Sequence, residues 1–321
     1  MPADNNHSDE RSAERRPLID EIKRLKAEKN AIVLAHYYVD GDIQDVADYV
    51  GDSLALAQTA AAKGADADII VMCGVNFMGE TVKMLCPDKK VLVPDDNAGC
   101  TLASGCPAGK LRAFIAEHPG HTVVSYVNTT LDVKALSDLL VTSSNAVKVV
   151  ESLPADEKII FGPDRNLGRY IMEQTGRDMV LWDACCYLHN RFDAEGIARL
   201  KADNPDAKVL VHPECPQDVT ILADKVGSTK ALLEFSASDP ATTFIVATEP
   251  GILHKMRQAS PSKKFIEAPV AYGMRNVCRF MKLNTLEKLA ACLRDETPVV
   301  EVDAAVAERA RRPLDRMLEL S

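Results

Sequence analysis

His36, Tyr126 and His212 each end an apolar run, and a cysteine follows each at a similar distance: Cys100 after 64 residues, Cys186 after 60 and Cys278 after 66. The cysteines fall in the loop-like stretches "DDNAGCT", "WDACCYLH" and "MRNVCRF". Three thiolates brought together from three such loops make a metal site that lacks one protein ligand. A structural zinc site wants four ligands, and so does an all-cysteine iron–sulfur cubane used for electron transfer. Three thiolates leave one iron with an open position, where it can act as a Lewis acid on a bound hydroxyl or carboxylate. Dehydration of a hydroxy-acid intermediate is the kind of step this suits. Spacing leaves two choices open, because Cys106 lies six residues beyond Cys100 and Cys185 abuts Cys186. Cys186 with His189 and a further donor is a zinc alternative.

The other cysteines carry no such pattern. Nine is an odd number, and in a cytosolic chain metal binding or catalysis is the usual specific use of cysteine. Cys73 lies in an apolar strand and Cys292 in an amphipathic helix, and both read as core. Cys86 and Cys215 each precede a proline and have no counterpart elsewhere.

The elements that position these residues repeat three times. Strands are expected at "AIVLAHY", "ADIIVMC", "KVLVP", "HTVVSYV", "KIIFG", "DMVLW", "AKVLVH", "TTFIVAT" and "KKFIEA", separated by helical stretches. That alternation predicts parallel sheets built from βαβ units. The segments "LAHYYVDGDIQDVADYVGDS" (34–53), "VSYVNTTLDVKALSDLLVTS" (124–143) and "LVHPECPQDVTILADKVGST" (210–229) align without gaps. His36, Tyr126 and His212 coincide, as do Tyr38, Asn128 and Glu214 two positions later. Asp48, Asp138 and Asp224 also coincide, and so do Ser53, Ser143 and Thr229. A repeat of this kind predicts three related α/β units: a solvated tail over 1–16, repeats over 17–116, 117–204 and 205–300, and a C-terminal helix over 301–321. Ligands of parallel sheets bind beyond the carboxyl ends of strands, so three such edges can face one central cavity. Ser53, Ser143 and Thr229 suit helix N-caps. Helix N-termini aimed at one cavity each stabilise an anion by roughly 0.3–1 kcal/mol, which points to phosphate or carboxylate ligands. The three aspartates read as local orienting groups.

Composition excludes several classes. Hydrophobic residues make up 46% and the net charge is −9. No basic block of nucleic-acid-binding type occurs, and no apolar run approaches the roughly 18 residues of a membrane helix. The opening "MPADNNHSDERSAERRP" lacks the apolar stretch of a secretory signal, and the chain is expected in the cytoplasm.

The motifs "DVADYVGDSLALA", "GVNFMGETVKML", "VSYVNTT", "VTSSNAV", "FGPDRNLGRY" and "VHPEC", with the Cys278 region, resemble the quinolinate synthase (quinolinate synthetase A) family from about Ile19 to the C-terminal "MLELS". The resemblance implies three α/β domains around a pseudo-threefold axis and a [4Fe–4S] cluster held by three cysteines. It implies condensation of iminoaspartate with dihydroxyacetone phosphate, releasing phosphate and two waters to give quinolinate for de novo NAD synthesis. By position it selects Cys100, Cys186 and Cys278 as cluster ligands and leaves out Cys106 and Cys185. It assigns His36 and Ser53 to substrate binding, Ser143 and its helix N-terminus to phosphate or carboxylate, and Tyr126 and Asn128 to the iminoaspartate carboxylates. His212, Glu214 and Thr229 complete the pocket, and Tyr38 and Glu214 are the candidate proton shuttles. His189 reads either as a residue that binds or orients near the iron, or as a histidine at the surface or behind the residues that touch the ligand. An L-aspartate oxidase is the implied source of the unstable iminoaspartate. The chain departs from relatives with a C-x-x-C-x-x-C run, since "MRNVCRF" carries Cys278 alone.

Two other readings compete. A non-catalytic iron–sulfur or zinc sensor of small anions would need an output surface, and none is evident in the sequence. A cluster-free aldolase would need a Schiff-base lysine, and no lysine recurs at a strand end.

Overall fold

The computed structural model describes residues 5–271 and 275–321, with side chains from residue 15 onward. Residues 1–4 of the expected tail lie outside it. Twelve strands form three four-stranded sheets. The first holds β1 (Ala31–His36), β2 (Tyr49–Gly51), β3 (Ile69–Cys73) and β4 (Lys90–Leu92). The second holds β5 (Thr122–Tyr126), β6 (Leu139–Val141), β7 (Ile159–Gly162) and β8 (Met179–Leu181). The third holds β9 (Lys208–Val211), β10 (Lys225–Val226), β11 (Thr243–Ala247) and β12 (Lys264–Glu267). Each sheet is parallel, with its second strand at one edge, then the first, third and fourth. The fold is the expected α/β arrangement of three related sheets flanked by helices.

All nine expected strands are present. The pattern misses β2, β6 and β10, which have only two or three residues and lie inside the aligned segments. The repeated aspartates explain why such short strands hold. The backbone N–H of Asp48, Asp138 and Asp224 donates to the carbonyl of Val33, Val123 and Val209, at 2.9 Å each. The carboxylate of the same aspartate accepts the N–H of the same valine, at 2.7, 2.8 and 2.8 Å. Each aspartate thus extends the ladder by one reciprocal pair at the point where the edge strand begins.

The first and third strands of each repeat are almost wholly buried, as apolar strands covered on both faces must be. The helix Asn5–Glu28 begins inside the stretch expected to be a tail. Against it packs the helix Leu286–Asp295, whose Arg294 Nη2 lies 2.7 Å from Glu21 Oε1. Val300 N–H donates to Val91 O at 2.8 Å, and Val93 N–H to Pro298 O at 3.3 Å. Residues 286–300, grouped with the third repeat on sequence spacing, therefore pack on the first. The helix Ala304–Glu319 crosses to the second repeat and covers β6.

Candidate active site

The three sheets turn the carboxyl ends of β1, β5 and β9 toward one cavity. In each sheet this is the strand from which the chain leaves first to one side and then to the other, the switch point where open α/β sheets bind ligands. With the open space at its mouth, the cavity spans about 740 Å3. His36, Tyr38, Ser53, Tyr126, Asn128, Ser143, His212, Glu214 and Thr229 all line it, as do Cys100, Cys186 and Cys278. Cys106 is buried elsewhere, against Leu111 and Val133, and Cys185 is not part of the lining. Cys73, Cys86, Cys215 and Cys292 are buried in the core.

The expected N-caps are displaced by one residue or more. Asp52 caps the helix Ser53–Lys63 by accepting Ala55 N–H, and Ser228 caps Thr229–Ser238 by accepting Ala231 N–H. In the second repeat the helix begins later, at Ala146, after a turn in which Asn145 Oδ1 accepts Thr142 N–H at 2.7 Å. In the first and third repeats the residue before the hydroxyl takes the capping task, and Ser53, Ser143 and Thr229 all line the cavity wall. Asp52 also accepts the Ser144 hydroxyl at 2.7 Å, tying the first repeat to the second beside these hydroxyls.

The three cavity cysteines share one local geometry. Each carbonyl accepts the N–H four residues on: Cys100 from Ser104 at 3.0 Å, Cys186 from Asn190 at 3.0 Å, Cys278 from Lys282 at 3.1 Å. Each cysteine therefore starts a helical turn and faces its free N–H groups. Burial pushes the Cys100 thiol up to about 12, against the N–H groups of Ala103 and Leu102. Burial likewise raises Cys186, opposed by the N–H of His189, and Cys278, opposed by those of Met281 and Phe280. Thiols in such a setting ionise when a cation binds, and the N–H donors then favour the thiolates. No disulfide joins any described cysteine. This donor set fits a metal centre on three thiolates.

A hydrogen-bonded relay crosses the cavity wall. Tyr126 Oη donates to Glu214 Oε1 at 2.6 Å, and His189 Nδ1 lies 2.9 Å from Glu214 Oε2. His189 Nε2 lies 2.9 Å from Thr248 Oγ1, which is 2.7 Å from Tyr38 Oη. Tyr38 Oη also meets Thr229 Oγ1 at 2.8 Å. One proton arrangement satisfies every member: Thr229 donates to Tyr38, Tyr38 to Thr248, Thr248 to His189 and His189 to the carboxylate. Burial pushes Glu214 up, but His189, then His212 and the Tyr126 hydroxyl, outweigh it and hold the carboxyl at about 2. Burial, with the Glu214 charge, keeps both Tyr38 and Tyr126 protonated well above the usual phenol range. The sequence did not mark Thr248, which lies outside the aligned segments, and left His189 open.

His36 and His212 are set for a matching task. Burial lowers them to about 4 and about 3, so both are neutral near pH 7. His36 Nδ1 accepts Tyr38 N–H at 3.2 Å, and His212 Nδ1 accepts Glu214 N–H at 3.3 Å. The ring proton of each is therefore on Nε2, free to donate to a ligand. Asn128 Oδ1 is buried and has no partner among the described residues, an acceptor that a ligand donor would satisfy. Donor atoms of Cys186, His189 and Glu214 lie within 4.8 Å of one another.

A cavity walled by three parallel α/β repeats, with converging thiols and a proton relay, is the active centre of an α/β enzyme. The family model described as NadA, quinolinate synthetase A protein, matches residues 20–319. A quinolinate synthase of Synechococcus sp. is 53% identical over 302 residues, covering 94% of both chains. Those of Thermosynechococcus vestitus (53% over 306 residues, 95% of both chains) and Microcystis aeruginosa (52% over 305 residues, 95% of both) are similar. The chain belongs to the quinolinate synthetase A family.

Proposed function

We propose that this chain is a quinolinate synthase that condenses iminoaspartate with dihydroxyacetone phosphate, releasing phosphate and two waters, for de novo NAD synthesis in the cytoplasm. Cys100, Cys186 and Cys278 would hold a [4Fe–4S] cluster. When bound, it supplies a Lewis acid for substrate hydroxyl or carboxylate groups. The observation that carries the reading is the convergence on one cavity of three cysteines with the same turn geometry and a complete relay.

Ser53, Ser143 and the Nε2–H of His36 bind phosphate or carboxylate. Tyr126 and Asn128 orient the dicarboxylate, with His212 donating beside them. The Tyr38 hydroxyl faces the cavity and exchanges a proton with substrate, while Thr248 passes the charge change to His189. Glu214, kept anionic, steadies the imidazolium that forms. An L-aspartate oxidase supplies the imine.

The test is an anaerobic assay for quinolinate with the iron content measured alongside. Brown, iron-loaded protein that forms quinolinate supports the reading; iron-loaded protein that forms none from both substrates defeats it. A second reading, a zinc-dependent anion sensor, draws on the Cys186–His189–Glu214 cluster. Zinc there would displace the bonds by which His189 and Glu214 hold Thr248 and Tyr126. Colourless protein with one bound zinc and no turnover would favour it.

A further inference from the structure

Two buried acids outside the relay occupy equivalent places in the second and third repeats. Aligning "IIFGPD" (159–164) with "FIVATE" (244–249) pairs Asp164 with Glu249, each two residues beyond its strand. Both are fully buried. Each uses one oxygen to hold its own turn: Asp164 Oδ1 accepts Asn166 and Leu167 N–H at 2.9 Å each, and Glu249 Oε2 accepts Gly251 N–H at 2.6 Å. Each turns its other oxygen to a cysteine amide: Asp164 Oδ2 accepts Cys186 N–H at 2.9 Å, and Glu249 Oε1 accepts Cys278 N–H at 3.3 Å. The first repeat has Val75 at this place, two residues after β3, and no carboxylate.

We propose that Asp164 and Glu249 are positioning residues that fix the Cys186 and Cys278 sulfurs relative to the cavity, while the Cys100 turn is held without such a partner. Glu249 extends this control to the relay. Its Oε1 lies 3.3 Å from Lys282 Nζ, which donates to the Tyr38 carbonyl at 2.8 Å. The junction leaves no slack: a Cβ at Gly251 would lie 2.7 Å from both Glu249 Oε2 and Tyr37 O. One carboxylate thus sets the Cys278 backbone and the Tyr38 backbone together.

The chemistry supplies a near-isosteric test. A carboxylate accepts at both oxygens, whereas an amide accepts at one and donates at the other. Asp164→Asn therefore loses one of the two N–H acceptors. Amide exchange, resolved by residue in the metal-free full chain, reads this directly. Because Lys282 Nζ would draw a glutamine oxygen to the Oε1 side, Glu249→Leu, which has no acceptor, is the variant for this position. It is expected to speed the Cys278 amide at least tenfold and leave the Cys186 amide within twofold of wild type. Asp164→Asn reverses the pattern, and the Leu102 and Ala103 amides stay unchanged in both. Unchanged or uniformly faster exchange overturns the proposal. In wild type, Cys186 should exchange at least tenfold more slowly than Cys185, whose amide has no acceptor among the described residues. Equal rates overturn the proposal even if a variant fails to fold.

Under the reaction proposed above, on which only this arm rests, kcat falls at least tenfold with KM within threefold. A wild-type chain without quinolinate activity would defeat that reaction and leave the exchange result standing.

Discussion

The Tyr38 hydroxyl lies 2.7 Å from the Thr248 hydroxyl, a bond between the first and third repeats that begins the path to His189. A Thr248→Val change keeps the shape and removes the bond. General acid–base groups contribute about 10²–10⁴-fold, so Tyr38→Phe is expected to lower kcat by about that factor. Thr248→Val should lower it by about tenfold or more, with KM nearly constant in both. Steady-state rates of quinolinate formation check this, and an unchanged kcat in Thr248→Val would remove the relay from the reaction.

Cys100→Ala, Cys186→Ala and Cys278→Ala should each lose bound iron and turnover. Cys106→Ala and Cys185→Ala should keep both, because neither residue lines the cavity. Iron per chain after anaerobic purification, with the absorbance near the visible edge, decides the matter. Retained iron and turnover in any of the first three would break the proposed ligand set.

Acid should unfold the metal-free chain through its buried imidazoles. His36 and His212 titrate at about 4 and about 3 when folded, against about 6.5 when unfolded. Between those values the unfolded chain binds more protons, so stability is full above about pH 6.5 and falls as pH drops. Each imidazole contributes about 1.4 kcal/mol per pH unit across that window. Glu214, held at about 2 when folded against about 4.5 when unfolded, adds to the fall as pH drops from about 4.5 toward 2. Denaturant titrations at pH 7.5, 6 and 5 measure the slope, and His36→Asn should reduce it by one proton's worth.

Asp138→Ala should cost about 1–3 kcal/mol, the price of a buried N–H left without its acceptor. Val123 N–H loses the carboxylate at 2.8 Å, and among the described residues no lysine pairs with the Asp138 carboxylate. Equilibrium unfolding gives the value, and activity per folded molecule should hold.

Much of this was legible because the repeat is strict where it touches the cavity. His36, Tyr126 and His212 end strands, and spacing brought a cysteine with each. The apolar runs were long enough to mark nine strands, whereas β10 has two residues and no periodicity to detect. The aspartates were seen as a set, but their reciprocal bonds depend on register that only the folded sheet reveals. The caps slipped because Asp52 and Ser228 are as well suited to capping as the hydroxyls beside them. Thr248 follows an ordinary strand, and its task arises only from Tyr38 and His189 arriving from other repeats. The return of residues 286–300 to the first sheet left no local mark, since an amphipathic helix does not name the surface that it covers.

The threefold arrangement places the reaction chamber where no single repeat can close it. An assembly of three identical short chains could enclose the same space, but every corner would then carry the same side chain. Joining the corners in one polypeptide lets them differ, with an imidazole, a phenol and a second imidazole at matching points. A ligand with distinct ends can then be held in one orientation only.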